Sequence, residues 1–150
     1  MSEHFVRFDS DVFRIFLEGL QRTFLSAGDS MVFQMSKDFS IQAMMRIGKQ
    51  LGVDLEMKPE QIINLFAARM KESGWGEFKP VKMDFDDYKF EVELTDSPYQ
   101  DLLASCNSIM SFFYRGVLCG FFEYLTRRPL RIQHNETINE NGALTFHICE

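Results

Sequence analysis

The chain has 150 residues, 45% of them hydrophobic and 25% charged, which suits one domain with its own core and excludes a disordered segment. Its net charge is -6 and no basic run exceeds two residues, so the sequence offers no basic face for nucleic acid or anionic lipid. Sixteen Phe, nine Met and one Trp give it a bulky, adaptable interior.

The N-terminal MSEHFVRFDSD has acidic residues and no apolar run, so no secretory signal is expected and the expected location is cytoplasmic. Cys106, Cys119 and Cys149 are then expected to be reduced. The first predicted helix is DSDVFRIFLEGLQRTFLSAG, with Val12, Phe13, Phe16, Leu17, Leu20 and Phe24 at helical spacing and Gly28 at its close. DSMVFQMSKDFSIQAMMRIGKQLG is a second, with Ile41, Met44, Met45, Ile47 and Leu51 apolar and a stop near Gly48 or Gly52. KPEQIINLFAARMKESG is a third, with Pro59 in the first turn, Glu60 matching the helix dipole and Gly74 at the end.

The period then changes from helix to strand. VKMDF alternates Val81, Met83 and Phe85, and YKFEVEL alternates Tyr88, Phe90, Val92 and Leu94, with Asp86–Asp87 as the hairpin turn between them. Asp96, Ser97 and Pro98 end the second strand. A long helix is predicted from about Tyr99 to Leu125, which would place Cys106 and Cys119 about 20 Å apart on one element, too far to bridge. PLRIQHNETI and ALTFHI around NENG form a second hairpin. The fold class is therefore α+β, with helices packed on a four-stranded antiparallel sheet in the order ααα–ββ–α–ββ, and residues 1–150 forming a single domain.

The most apolar stretch is SFFYRGVLCGFFEYL, residues 111–125. Arg115 and Glu123 interrupt it, and each would cost about 2.5–3.5 kcal/mol at a bilayer centre, so a membrane span is excluded. Gly116 and Gly120 form a GxxxG pair that lets another backbone approach closely. Apolar residues nearly all round make this a central core helix packed on the sheet or a partner subunit, with one face open to a cavity or dimer seam.

Taken in order, RIGKQLG, SGWGEF, FEVELTDSPY and SFFYRGVLCGFFEYL resemble the 4-vinyl reductase domain, which is related to the Bet-type subunits of the TRAPP vesicle-tethering complex. The resemblance covers roughly residues 10–148 and implies helices on a four-stranded antiparallel sheet, usually in a dimer. It also implies a choice of roles: sensing small aromatic effectors with a structural zinc, tetrapyrrole biosynthesis, or scaffolding around an acyl-binding tunnel. Position by position, the zinc thiolates implied by the resemblance fall on Ser111, Asn139 and Leu144, and its Glu on Glu136, or on His134 in an alignment without a gap. The Trp of the aromatic-effector members falls on Leu94, and no Cys lies near the second helix, where the TRAPP relatives are acylated.

His134, Glu136, His147 and Cys149 of the last hairpin could suggest another metal, but aligning Leu130 and Ile132 with Leu144, Phe146 and Ile148 on one face sends His147 and Cys149 to the other. His134 and His147 are then expected at the sheet edge or surface. Ser111 lacks a strand–turn–helix elbow and Cys119 sits in an apolar helix, so neither is read as a nucleophile.

The functional expectation is a non-catalytic small-molecule-binding or dimeric scaffold domain with an apolar cavity and without the family's zinc. Phe112, Phe113, Phe121, Phe122, Trp75 and Leu94 are the candidate ligand-binding residues, Trp75 reading first as a packing anchor after the third helix and second as a ligand-stacking ring. No catalytic residue, metal or cofactor is expected. The expected partners are a second copy, held through the first two helices (Phe13, Phe16, Phe24, Phe33, Met44, Met45), and an apolar small molecule or acyl chain. An enzyme of tetrapyrrole vinyl reduction and a TRAPP-like assembly subunit are the rival classes.

Overall fold

The computed structural model describes residues 9–51, 57–135 and 137–150, apart from the side chain of Leu51. Gly52 and Glu136 lie outside the described residues. Helix α1 spans Ser10–Phe24, capped by Asp9, whose carboxylate accepts from the backbone N–H groups of Asp11 and Val12. Helix α2 spans Ser26–Leu51, so it starts before the expected Asp29 and runs straight through Gly48. The break is Leu25, which takes φ 50° and turns the chain in one residue. Gly28 lies in the first turn of α2, where a Cβ would press on the Leu20 carbonyl at 2.7 Å, so this glycine serves close helix packing and not a helix stop.

Helix α3 spans Pro59–Glu72, with Pro59 at its start and Gly74, at φ 81°, just past its end. The Trp75 N–H closes the motif on the Met70 carbonyl at 3.0 Å. Strand β1 (Glu77–Asp84) pairs with β2 (Lys89–Thr95) around a turn in which the Asp84 carboxylate accepts from the N–H groups of Asp86 and Asp87. β1 starts earlier than the alternation of Val81, Met83 and Phe85 indicates. The register shifts between Pro80 and Lys82, so Val81 sits in a bulge and is exposed, while Phe78 takes the core position.

The predicted long helix is broken. A short α4 (Gln100–Leu103) is followed by a turn, and α5 spans Ile109–Thr126, capped by the Ser108 side chain on the Ser111 N–H. Cys106 therefore lies in the turn, not on the helix of Cys119, and no disulfide links the three cysteines. β3 (Arg131–His134) and β4 (Leu144–Cys149) complete an antiparallel sheet of order β1–β2–β4–β3.

Helix α5 lies between the sheet and α2. Phe122 stacks on Phe90 of β2 at 4.7 Å and Phe121 on Phe66 of α3 at 4.0 Å. On the opposite side Gly116 and Gly120 meet α2: a Cβ on Gly116 would overlap Ser36 Oγ and the Phe33 carbonyl, and one on Gly120 the Lys37 carbonyl. The GxxxG pair thus packs neither on the sheet nor on a partner subunit but on the Ser36–Ser40 stripe of the same chain. Lys37 and Glu123 bridge the two helices at 2.8 Å, both mostly buried.

Candidate functional site

Helices α1 and α2 diverge from their corner at Leu25, and α5 forms the floor between them. The result is a groove of about 220 Å³ lined by Phe13, Phe16, Leu17 and Leu20 of α1, Val32, Met35, Ser36 and Phe39 of α2, and Phe113 of α5. Its mouth is apolar: Phe16 is 62%, Met35 60% and Phe39 65% exposed, well above what a closed helical face leaves in water. Ser36 is the polar side chain in the lining, and its hydroxyl already donates to the Phe33 carbonyl at 3.0 Å. Among the described residues no charged group reaches the lining, and none of the lining residues is a cysteine.

Behind the groove stands an aromatic wall. Phe13 packs edge-on against both Trp75 (5.3 Å) and Phe113 (5.1 Å), and Tyr114 meets Trp75 edge-on at 6.2 Å. A chain of hydrogen bonds fixes that wall. The Tyr99 N–H donates to Ser97 Oγ at 3.1 Å, Ser97 lies 2.8 Å from Tyr114 Oη, and Tyr114 donates to the Trp75 carbonyl at 2.7 Å. Burial raises the Tyr114 pKa well above the usual tyrosine value.

The six residues singled out from the sequence fall in three places. Phe113 lines the groove and Trp75, half-buried, supports it from behind. Phe112 lies under the Arg115 guanidinium, 4.4 Å from its ring centre. Phe121, Phe122 and Leu94 are buried, and with Ile63 and Phe66 the two Phe rings enclose a space of about 10 Å³, room for one water at most. The α1 lining residues were not assigned to a ligand by sequence reasoning. A signal was present: Val12, Phe13, Ile15, Phe16, Leu17 and Leu20 spread over a wider arc of α1 than one buried face requires.

His134, expected at the sheet edge or surface, lies on the edge strand β3 but not at the surface. It is buried, its Nε2 lies 2.6 Å from Ser111 Oγ, and its Nδ1 lies 2.9 Å from the Asn135 carbonyl. That carbonyl can only accept, so Nδ1 carries a proton, and Nε2 is left to the Ser111 hydroxyl. Ser111 has no exposed surface for a substrate to reach. The pair is a clamp between α5 and β3. Ser111→Ala should lower stability by about 1–3 kcal/mol, read as a shift in the urea unfolding midpoint. His147, paired opposite Gln133, points to the outer face 3.6 Å from Glu91, as the register argument requires.

Of the positions where the resemblance places zinc ligands, Glu136 lies outside the described residues and the others are engaged in the fold. Ser111 is committed to His134, Leu144 is core, and Asn139 Oδ1 accepts from the N–H groups of Asn141 and Ala143. Among the described residues no three His, Cys, Asp or Glu side chains converge as a metal site. No described helix is long and apolar enough to cross a membrane.

No protein-family model matches the sequence, and no curated protein matches it. Solved structures do match. The phenol-responsive sensory domain of the transcription activator PoxR, with phenol, aligns over 98% of this chain and 77% of its own, with TM-score 0.74 and 9% identity. A trafficking protein particle complex subunit 3 from Naegleria fowleri, covalently bound to palmitic acid, aligns over 93% of both chains, with TM-score 0.64 and 10% identity. A vinyl-4-reductase family protein from Methanocaldococcus jannaschii covers 97% of this chain and 83% of its own, with TM-score 0.60 and 12% identity. At these identities the likeness is one of fold: the chain has the architecture that the vinyl-4-reductase protein, the trafficking subunit and the phenol sensor share.

Proposed function

We propose that this chain is a non-catalytic domain that holds a neutral apolar molecule between α1, α2 and α5 and works as a homodimer through the exposed sides of α1 and α2. The observation that carries the reading is the groove: about 220 Å³, apolar but for Ser36. A dry cavity of about 150 Å³ already takes up benzene, so this one has room for one or two aromatic rings or a short alkyl segment. Two proteins of the same fold carry apolar groups of this kind, phenol in one and palmitic acid in the other. With no cysteine in the lining, the occupant here is held without a covalent bond.

Phe113 and Trp75 then serve the ligand, Phe113 directly and Trp75 by holding it in place, while Phe112, Phe121, Phe122 and Leu94 shape the core that fixes α5. The rival enzyme reading finds, among the described residues, no acid or base side chain in the lining, and a tetrapyrrole is far larger than the groove. The dimer rests on the exposed Val12, Ile15, Phe16, Met35, Phe39 and Met45. Met44, expected in that seam, is buried in the chain's own core.

Titration with the neutral fluorophore N-phenyl-1-naphthylamine tests the ligand reading. Saturable enhancement is expected from the intact chain and its loss from Phe16→Asp, which alters a rim residue that is mostly in water. No saturable signal, or an unchanged one in Phe16→Asp, would overturn it. A metal-free domain further predicts that EDTA leaves the melting temperature unchanged. Stoichiometric zinc, with a melting temperature that falls on chelation, would be the contrary result.

A further inference from the structure

The groove is open on the side formed by its most exposed residues, and the charges beside that opening are arranged for a second copy. Asp38, Gln42 and Arg46 follow one another at four-residue spacing along α2, all exposed, and form one ridge beside the Met35–Phe39 row of the groove mouth. Asp38 accepts a hydrogen bond from Gln34 Nε2 at 3.1 Å on its own helix, and neither it nor Arg46 takes part in a salt bridge among the described residues.

A two-fold axis at Gln42 exchanges the two ends of that ridge. An antiparallel copy crossing there sets each Asp38 beside Arg46 of the partner subunit, twice over. A parallel pairing in register would set like charges together. The same crossing lays the partner's α2 across Met35 and Phe39, which are otherwise left in water.

We infer that the binding groove is completed by a second copy of the chain, docked antiparallel through α2 about Gln42, so that ligand binding and dimerisation are one linked equilibrium. The inference rests on the apolar-ligand reading above. A ligand that fits the closed groove better than the open one must tighten the dimer by the factor by which the dimer tightens the ligand.

The test follows sedimentation velocity and N-phenyl-1-naphthylamine fluorescence together across a protein dilution series. The probe's affinity per chain is expected to track the dimer fraction. Arg46→Asp, which sets one carboxylate against another at each of the two contacts, should raise the dimer dissociation constant tenfold or more and weaken the probe in parallel. The charge swap Asp38→Arg with Arg46→Asp should restore both, which a variant that merely misfolds could not do. A dimer that follows this charge pattern but binds no probe would sink the ligand reading and the inference together. Equal probe affinity in monomer and dimer would leave the ligand reading standing and overturn the completed site. An Arg46→Asp chain that dimerises as before would overturn the proposed crossing.

Discussion

Gly120→Leu should lower stability by about 3 kcal/mol or more, the upper end of what overpacking a core costs. At Gly120 the side chain would enter the α5–α2 contact, where a Cβ overlaps the Lys37 carbonyl and stands 3.0 Å from Ser40 Cβ. The first obstacle is main chain in the middle of a helix and cannot rotate aside. α2 must back away, and that also stretches the Lys37–Glu123 bridge beside it. For a chain of this length each kcal/mol moves the melting temperature by roughly 2–4 °C, so a fall of at least about 6 °C is expected by circular dichroism. Gly19→Ala is the control. Its Cβ would meet Arg22 Nη2 at 3.9 Å, ordinary contact, so the added helix propensity should leave stability equal or slightly higher. An unchanged melting temperature for Gly120→Leu would mean that α5 does not lie on α2 as described.

The same contact shows how far the sequence could be read. Gly116 and Gly120 announce a close approach because four-residue spacing puts two missing side chains on one helix face. What approaches them is not written in α5. It is fixed by Ser36 and Ser40, two small buried residues with the same spacing on α2, and matching two stripes requires the tertiary fold. The hairpins and their turns were legible from alternation and turn residues, since these are local. The bulge at Val81 was not, because an apolar residue that skips a pairing position leaves the alternation of the sequence intact. The break before α5 has a local cause, the Ser108 cap, but SFFYRGVLCGFFEYL draws the helical pattern backward over it.

The candidate site was the least legible part. Aromatic residues of α5 look alike in the sequence, yet Phe121 and Phe122 pack inward between α3 and the sheet, whereas Phe113 reaches the groove. Helical phase separates them, but which phase faces α1 depends on how α1 and α2 diverge from Leu25. His134 went astray for a related reason. Alternation places it on the core face, but its tolerance for burial comes from Ser111, a residue 23 positions away.

Alkaline pH should unfold this domain through groups that all act in one direction. Burial pushes the Cys119 thiol up from an ordinary 9.0 to about 12, and the nearby Glu123 carboxylate adds to the effect. Its Sγ lies 3.4 Å from the Leu130 carbonyl in the tight space between α5 and β3. Tyr114 is also raised by burial. At Lys37 burial opposes the charge, but the hydrogen bond and charge of Glu123 outweigh it and raise the pKa. A group whose folded pKa exceeds its unfolded one keeps its proton in the native state and loses it on unfolding. The unfolded state then binds fewer protons, and stability falls as pH rises. Below about pH 9 all three contributions are complete. Between about pH 9 and 10 only the thiol has begun to titrate in the unfolded chain, and its share of the loss approaches about 1.4 kcal/mol per pH unit. Tyr114 and Lys37 join above about pH 10 and steepen the decline. Cys119→Ala separates the contributions: it lowers stability at neutral pH by loss of packing, yet it should flatten the slope between pH 9 and 10 in urea unfolding. An identical slope in the variant would mean that the thiol ionises as readily in the folded chain as in the unfolded one, and that α5 does not bury it against Leu130.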